Sequence, residues 1–377
     1  MIFPTVPYQS ELLAFFAVFS SGLLSIIAIS SLTTPKFDYN GKHVIVTGGS
    51  SGIGLECAKK YAKKGANVTI IARDKGRLSA AVIEVEACKV AGRRVMSISV
   101  DTASSQVAVN SALASCLRQN GAADVLLNCA GISVAGEFHQ LDSADFDRMM
   151  RVNVLGSIYP TRAVLEGMKL KGNGRIVFVS SQAGQAAIHG FSAYAPSKWA
   201  LRGLAEALQM EVKPFGILVS VAYPPDTDTP GYKEEMISKP EITKKLSESG
   251  SVFSPVVVAN DIVTYSAKGY FGISTGLDGW LLKQVHPGMT PCNNIWEVTQ
   301  GILFSPLCRF IALFYILAWE WECNRFVKKQ GNKNSVATTF NGNEGEKEGV
   351  EVEVEVEVDK SAPTMITRGS AMKAKRT

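Results

Sequence analysis

HVIVTGGSSGIG, at residues 43–54, is the stretch that decides the fold of this chain. It begins with an apolar, strand-like run, His43 to Val46, and a glycine-rich turn follows at once. Glycines in such a turn let the backbone approach a pyrophosphate, and the helix that begins there offers unpaired N–H groups to phosphate oxygens. The Gly-x-x-x-Gly-x-Gly spacing differs from the commoner Gly-x-Gly-x-x-Gly but serves the same purpose. The predicted dinucleotide-binding residues are Gly48, Ser50, Ser51, Gly52, Ile53 and Gly54.

Apolar runs alternate with amphipathic stretches from about residue 40 to residue 225. Strands are predicted at 43–47, 67–72, 95–100, 124–129, 175–180 and 217–222. Helices are predicted at about 52–65, 76–92, 104–119, 143–169 and 193–213. Strands separated by helix-length segments form βαβ units. The pattern therefore predicts an α/β fold, with a doubly wound Rossmann-type parallel sheet that carries helices on both faces.

Composition narrows the class of protein. The chain has 377 residues, of which 46% are apolar and 19% charged, enough for one large α/β domain with appendages or for two small domains. The net charge is +5 and the basic residues are scattered, so a nucleic-acid partner is not expected. The seven cysteines are dispersed without a Cys-x-x-Cys pair, which favours a reducing compartment over a disulfide framework. None of the four histidines has ligand spacing, so no metal site is expected.

An uncharged segment near the start predicts a membrane anchor. Residues 12–32 contain no charge, and about 20 apolar residues span a bilayer as a helix. A cleaved signal peptide is the alternative, but no basic residue precedes the segment and Glu11 does. Lys36 and Lys42 follow it, so the positive-inside rule places the rest of the chain in the cytosol.

A second apolar stretch, residues 302–321, is interrupted by Pro306, Arg309 and Glu320. It could span a membrane, form a re-entrant piece, or lie in the interface with Trp319 and Trp321 at the level of the headgroups. The remaining alternative for residues 302–321 is a buried core helix.

The C-terminal tail is polar and biased. Residues 350–358 read VEVEVEVEV, which places glutamates side by side on one face of any strand, so this part is predicted to be disordered. Residues 373–377 resemble a cytosolic dilysine retrieval signal, and the alternative is that these basic residues occur there by chance. The predicted organisation is an anchor over 1–35, a reductase domain over 36–290, a membrane-associated segment over 291–327 and a tail over 328–377.

The end of the second predicted strand indicates which dinucleotide binds. A site selective for the unphosphorylated cofactor would place a carboxylate near Ala72 to hold the ribose hydroxyls. Here Arg73 follows instead, and a guanidinium can bind a 2′-phosphate, with Ser50 and Lys75 as helpers. NADPH is therefore the predicted cofactor, the alternative being that Arg73 is a solvated charge.

Residues at the ends of the next two strands complete the predicted cofactor site. Asp101 closes the third strand and is placed to contact the adenine edge. The run Asn128-Cys129-Ala130-Gly131 closes the fourth, where small residues let the backbone pass beneath the ribose. The predicted binding residues are Asp101, Asn128, Ala130 and Gly131.

Carbonyl reduction needs a proton donor, and Tyr194 is the candidate. A free phenol has a pKa of about 10, which makes it a reluctant acid. Lys198 lies one helical turn away, so its ammonium is expected to lower that pKa. Ser181 can donate a hydrogen bond to the carbonyl oxygen, and Asn153 could hold a water that links Lys198 to solvent.

TGGSSGIG, NCAG, Asn153, Ser181 and Tyr194-x-x-x-Lys198, in this order, resemble the short-chain dehydrogenase/reductase family over about residues 40–290. The resemblance implies about seven strands, a nicotinamide cofactor that Tyr194 and Lys198 also contact, and a homodimer paired through long helices. It makes Ser181, thirteen residues before the tyrosine, the catalytic serine rather than Ser180. It also places Thr227 and Thr229 against the nicotinamide.

Directly after the sixth predicted strand, where this family usually has Pro-Gly, the string YPPDTDTPG at residues 223–231 has Pro224-Pro225. Together with the N-terminal segment and FIALFYILAWEWE, it resembles the branch whose members use NADPH at the endoplasmic reticulum membrane to reduce the long-chain ketone 3-ketodihydrosphingosine. The rivals are a 3-ketoacyl-CoA, steroid or retinoid reductase, and an NADPH-binding membrane scaffold without turnover.

The segment 232–256, with Tyr232, Met236, Ile237 and Phe253, is long and mixed enough for a substrate lid. A disordered loop is the alternative.

Overall fold

The computed structural model describes residues 14, 17, 18, 21, 22 and 25, and residues 36–340 apart from 248–250, 287, 292 and 294. In this part of the chain seven parallel strands form one sheet, in the order β3–β2–β1–β4–β5–β6–β7. They are β1 His43–Thr47, β2 Asn67–Ala72, β3 Val95–Ser99, β4 Val125–Asn128, β5 Gly174–Val179, β6 Ile217–Tyr223 and β7 Gly272–Ser274. The predicted doubly wound sheet is confirmed, with each predicted strand present to within one residue at either end.

Helices connect the strands. They are α1 Gly52–Lys63, α2 Lys75–Glu86, α3 Gln106–Asn120, α4 Ser143–Met149, α5 Gly156–Lys171, α6 Tyr194–Val212, α7 Pro230–Ser238, α8 Glu241–Ser247, α9 Pro255–Ala267, α10 Gly276–Val285 and α11 Ile295–Phe340. The continuous helix predicted over 143–169 is interrupted, because a π-helix, Met150–Leu155, separates α4 from α5. Wide turns of this kind are rare and often mark functional sites.

The sheet separates two apolar cores. Successive residues of a strand point to opposite faces. Val44 and Val46 of β1 accordingly pack with residues of α1, α2 and α9, while Ile45 between them packs with α3, α5 and α6. All five residues of β1 are buried, as expected for the central strand of a parallel sheet covered on both sides. Each fully buried large aliphatic side chain contributes about 1.5–3 kcal/mol to this arrangement.

The chain reaches β1 across the amino ends of the strands. Phe37 packs against the Arg175 guanidinium, whose central carbon lies 4.7 Å from the ring centroid. The Tyr39 hydroxyl donates a hydrogen bond of 2.9 Å to the carbonyl of Val263 in α9. The predicted anchor over 12–32 lies almost entirely outside the described residues, and the predicted tail features at 350–358 and 373–377 lie wholly outside them.

Among the described residues one helix is long and apolar enough to cross a membrane, and it spans Trp296–Lys329 within α11. Only 6% of its most apolar 18-residue window is buried, so the buried-core reading of residues 302–321 is wrong. Pro306 lies inside the helix without ending it.

Candidate active site

The glycine-rich turn between β1 and α1 is closed too tightly to accept side chains. Gly48 has a φ of +67°, and a Cβ there would lie 2.8 Å from the Ala130 backbone nitrogen. A Cβ on Gly54 would collide with the Gly48 carbonyl oxygen. Ser51 precedes α1 but its side chain makes no capping hydrogen bond, so the first N–H groups of the helix remain available to an anion.

A cavity of about 1190 Å³ lies at the carboxyl ends of the strands, where ligands bind in open α/β sheets. Most of the residues predicted for the site line it. They are Gly48, Ser50, Ser51, Gly52, Ile53, Gly54, Arg73, Asp101, Ala130, Gly131, Ser181, Tyr194, Lys198, Thr227 and Thr229. Lys75, Asn128 and Asn153 are not among the lining residues.

Two arginines lie on the rim of the cavity beyond β2. Arg73 is exposed, and its backbone carbonyl accepts a hydrogen bond of 2.9 Å from the Ser99 hydroxyl. The carboxylate of Asp74 accepts a hydrogen bond of 2.9 Å from the Arg77 backbone nitrogen, so it caps α2, which begins at the rim. Arg77, which sequence reasoning missed, therefore lines the cavity, whereas the predicted helper Lys75 does not. The cap at Asp74 was the signal that could have identified it.

Asn128 stabilises the fold beneath the cofactor site. It is buried, and its Nδ2 donates a hydrogen bond of 3.0 Å to the Thr161 hydroxyl of α5. The neighbouring backbone is fixed by Thr47, whose hydroxyl oxygen accepts from the nitrogens of Cys129 and Ala130 at 3.1 and 3.2 Å. The Asn128 amide thus joins β4 to α5, and its predicted contact with the cofactor stays a prediction.

Tyr194, Lys198 and Ser181 meet at the inner end of the cavity. Tyr194 begins α6, and the Lys198 ammonium lies 5.7 Å from the centroid of its ring. The Ser181 oxygen accepts a hydrogen bond of 3.1 Å from the Ala183 nitrogen, which leaves its proton free to point elsewhere. The Ser180 hydroxyl instead donates to the Lys198 carbonyl at 2.9 Å, so it holds the backbone of α6.

The pKa values in this cluster differ from the sequence expectation. Burial raises the pKa of Tyr194, and the charge of Glu235 raises it further, while a hydrogen bond with Ser181 opposes both. The predicted lowering by Lys198 is not seen, because the lysine Nζ is directed to the Val179 carbonyl, to which it donates at 3.0 Å. Burial lowers the pKa of Lys198 from 10.5 to about 8. Tyr194 is therefore protonated at neutral pH, which is the form that can donate a proton.

Asn153 lies in the π-helix, close to Lys198, and is not among the residues that line the cavity. Its Oδ1 accepts from the Ile132 nitrogen at 2.9 Å, and its Nδ2 donates to the Ile132 carbonyl at 3.0 Å and to the Ser197 hydroxyl at 2.9 Å. A Cβ on Gly131 would lie 3.1 Å from this Oδ1 and 3.3 Å from the Lys198 Nζ. The side chain thus joins the end of β4 to α6, and the predicted water relay through it stays a prediction.

The segment predicted as a lid is helical rather than a loop, since it holds α7 and α8. The Thr229 oxygen caps α7 by accepting from the Tyr232 nitrogen at 3.1 Å, and Thr227 forms a β-bridge with Phe253. Tyr232 and Phe253 line the cavity, as expected of a lid. Met236 and Ile237 do not, and Ile237 is 84% exposed.

A buried lysine fixes α7 against the loop that follows β6, and sequence reasoning missed it. The Lys239 ammonium lies 3.4 Å from an Asp226 oxygen and 3.1 Å from a Glu235 oxygen. Both carboxylates belong to residues that line the cavity. The i,i+4 spacing of Glu235 and Lys239 was the available signal.

The outer wall of the cavity comes from α10 and α11. Sequence reasoning treated the apolar stretch at 302–321 as a membrane segment or a buried core helix, and not as part of a ligand site. In the structure this part of the chain also lines the cavity that Ser181, Tyr194 and Lys198 line. The lining side chains include Leu281, Leu282, Val285, Ile311, Tyr315 and Trp319.

Comparisons with known proteins agree with this geometry. The family model described as short chain dehydrogenase matches residues 42–239, which hold the glycine-rich turn and every predicted catalytic residue. The chain belongs to the short-chain dehydrogenase family. The sequence-based prediction of an oxidoreductase of this family is thereby confirmed.

Curated relatives within the short-chain dehydrogenase family cover most of the chain. A 3-dehydrosphinganine reductase from Danio rerio is 48% identical over 300 residues, which are 79% of this chain and 90% of the relative. A 3-ketodihydrosphingosine reductase from Bos taurus is 43% identical over 319 residues, 84% of this chain and 96% of the relative. A solved short chain dehydrogenase/reductase family protein is 28% identical with a TM-score of 0.52, covering 62% of this chain and 93% of its own. The predicted resemblance to this branch is confirmed.

Proposed function

We propose that this chain reduces the 3-keto group of 3-ketodihydrosphingosine to a hydroxyl, with NADPH as the cofactor. The observation that carries the proposal is the composition of one cavity. A glycine cradle for a dinucleotide, the Ser181–Tyr194–Lys198 cluster and the apolar wall of α11 all border it. Such a cavity suits a long-chain ketone, and the curated relatives named above bear names of reductases for this substrate.

The residues present fit a nicotinamide dinucleotide. The turn at Gly48 and Gly54 leaves no room for side chains, and the first N–H groups of α1 have no side-chain cap, so phosphate oxygens can approach the backbone closely. Asp101, Ala130 and Gly131 would hold the adenosine half, and Thr227 and Thr229 the nicotinamide half. When bound, the cofactor supplies the hydride that reduces C3 of the ketone.

Two side chains act on the carbonyl oxygen. Ser181 donates a hydrogen bond that orients the oxygen and stabilises the negative charge developing on it. Tyr194 donates its hydroxyl proton to the same oxygen, which completes the alcohol and leaves a phenolate. Lys198, with a pKa of about 8, is mainly protonated at pH 7, and its hydrogen bond to the Val179 carbonyl holds a positive charge 5.7 Å from the centroid of the Tyr194 ring. Asn153 positions Ile132 and α6, and we propose that it serves the relay that returns a proton to Tyr194.

NADPH is proposed over NADH on the basis of the rim beyond β2. Arg73 and Arg77 both border the cavity, and the carboxylate between them, Asp74, is engaged as the cap of α2. The rim therefore offers two guanidinium groups to a 2′-phosphate, and its carboxylate, Asp74, is hydrogen-bonded to the backbone of α2 and pairs with Arg77.

We also propose that the protein acts at the endoplasmic reticulum membrane, with its catalytic domain in the cytosol. The exposed apolar surface of α11 and the uncharged segment at 12–32 support membrane association. In this organisation residues 1–35 are an anchor, 36–290 the reductase domain, 291–327 a membrane-associated segment and 328–377 a charged tail. A homodimer paired through long helices is proposed from the family.

The test is NADPH oxidation by the detergent-solubilised full-length protein, with 3-ketodihydrosphingosine, a 3-ketoacyl-CoA and a steroid ketone compared at equal concentrations. We expect turnover of the first alone, with the alcohol identified by mass spectrometry. Preference for another ketone would overturn the substrate. Cofactor binding without oxidation by any ketone would favour a scaffold.

A further inference from the structure

Helix α11 is apolar on two opposite faces, and each face meets a different environment. One face borders the catalytic cavity at intervals of three or four residues. Its side chains are Cys308, Ile311, Ala312, Tyr315, Ile316 and Trp319, of which Tyr315 and Ile316, at 40% and 36%, are also partly exposed. The other face is exposed by 46% to 61% at each large side chain, namely Leu307, Phe310, Leu313, Phe314, Leu317 and Trp321. An amphipathic surface helix would be polar on this outer face, so both faces of α11 are suited to hydrocarbon.

Contacts at both ends hold α11 across the cavity. Near its start, Glu297 pairs with Lys283 of α10 at 3.1 Å, and both side chains are largely buried. The Ser305 hydroxyl donates to the Gln284 carbonyl of α10 at 2.7 Å. Farther along, Glu322 pairs with Lys245 of α8. The inner face of the helix is therefore a fixed wall between α10 and the lid helices.

The wall is long enough to hold an alkyl chain. Arg309 and Glu320 are charged residues of α11 that border the cavity, and the ten residues between them carry no charge. At 1.5 Å per residue this uncharged stretch is about 15 Å long. The whole cavity, at about 1190 Å³, is larger than the roughly 300–1,000 Å³ of typical small-molecule pockets, so it has room for more than one such ligand.

We propose that the inner face of α11, with Leu281, Leu282 and Val285 of α10, binds the alkyl chain of the substrate, which slides in from the bilayer along the helix. This inference rests on the proposed function. Each methylene group raises the partition constant of an alkyl chain from water into hydrocarbon about fourfold. A substrate that left the bilayer through water would therefore lose about fourfold in this constant for every carbon of its chain. A wall that is continuous with the outer apolar face avoids this loss. The wall, rather than transfer out of water, then sets the selectivity for chain length.

Adjacent residues of α11 offer a matched pair of variants. Ala312→Trp places an indole on the inner face, and Leu313→Trp places the same group on the outer face. For Ala312→Trp we expect a loss of about tenfold or more in kcat/KM with 3-ketodihydrosphingosine, as overpacking of a filled site predicts. With a six-carbon 2-amino-3-ketone, whose chain beyond the carbonyl has only three carbons, we expect a loss of less than about threefold. Leu313→Trp should match the wild-type protein with both ketones.

A second measurement uses the wild-type chain. A 3-ketodihydrosphingosine analogue with a diazirine at the end of its alkyl chain should label peptides that contain residues 308–319. Labelling confined to other parts of the chain, or equal losses with the long and the short ketone in Ala312→Trp, would overturn the proposal. If Ala312→Trp still binds NADPH, the variant is folded and its kinetics test the proposal. If the variant no longer binds NADPH, the labelling of the wild-type chain tests the proposal instead. Failure of the wild-type protein to reduce 3-ketodihydrosphingosine would instead count against the proposed function.

Discussion

Replacing Arg73 with alanine should weaken NADPH binding about tenfold and leave NADH binding nearly unchanged. A hydrogen bond to a charged group contributes about 1.5–3 kcal/mol. The Arg73 side chain is exposed on the rim of the cavity, where solvent screens its charge, so the lower end of that range applies. About 1.5 kcal/mol corresponds to roughly tenfold in the dissociation constant. NADH has no 2′-phosphate, so the variant should shift its dissociation constant by less than about twofold.

Two neighbouring basic residues make the test specific. Arg77 also lines the cavity, and its side chain is 66% exposed, so Arg77→Ala should produce a similar or smaller loss. The double variant should lose up to about a hundredfold if the two side chains act independently on the phosphate. Lys75 carries the same charge on the same helix but does not line the cavity, so Lys75→Ala is the matched control and should behave as the wild-type protein.

The assay is titration of both cofactors by calorimetry or by quenching of tryptophan fluorescence, at low and at high salt. In the wild-type protein the ratio of NADPH to NADH affinity should fall at high salt, because salt screens the positive charge of the rim. In Arg73→Ala this ratio should depend less on salt. Equal weakening of NADPH and NADH by Arg73→Ala, or a Lys75→Ala variant as weak as Arg73→Ala, would refute the assignment of the rim to the 2′-phosphate.

Three further predictions concern the cradle and the catalytic cluster. Tyr194→Phe should lower kcat by about 10²–10⁴-fold with NADPH affinity unchanged, and steady-state kinetics beside a binding titration would check this. Lys198→Met should abolish turnover yet stabilise the fold at pH 7 by up to about 3 kcal/mol, the free energy that corresponds to a pKa lowered from 10.5 to about 8. In the unfolded chain the lysine keeps its proton up to about pH 10.5, whereas in the folded protein it releases the proton near pH 8. The stabilisation by Lys198→Met should therefore shrink as pH rises above 8. Urea unfolding of both proteins at pH 7 and at pH 9.5 would measure this change. Gly54→Ala should weaken NADPH binding at least tenfold, since its Cβ would displace the Gly48 carbonyl, whereas Gly203→Ala on α6, where a Cβ meets nothing within 4 Å, should not.

The sheet was predictable because its strands are short, buried and apolar. Six strands follow from runs such as Val44–Val46 and Ile70–Ile71, which no helix period explains. Strand β7 has only three residues, Gly272–Ser274, and too little sequence to be recognised without the family. The π-helix over 150–155 has no local signature either, and the hydrogen bonds of its Asn153 to Ile132 and Ser197 join segments that are distant in the sequence.

The site residues that belong to short local motifs were predicted, and those brought together from distant segments were missed. The turn at 48–54 and the Tyr194–Lys198 pair are local patterns, so their sequence alone places them. The wall formed by α11 depends on tertiary packing across more than a hundred residues, and hydropathy reports only that the segment is apolar. The pKa of Tyr194 was misjudged because burial and the charge of Glu235 raise it, and neither can be read from the i,i+4 spacing of Tyr194 and Lys198.

The order of the strands also bears on how the chain folds while it is being made. Strand β1 lies between β2 and β4, and its second edge pairs Val44 with Val125, 81 residues later. At 5–20 residues per second a ribosome needs roughly 4–16 s to make that interval. During this time one edge of β1, whose three middle residues are apolar, has no partner, and such edges invite pairing with other chains. The interval between β1 and β4 is therefore when the nascent protein most needs a chaperone.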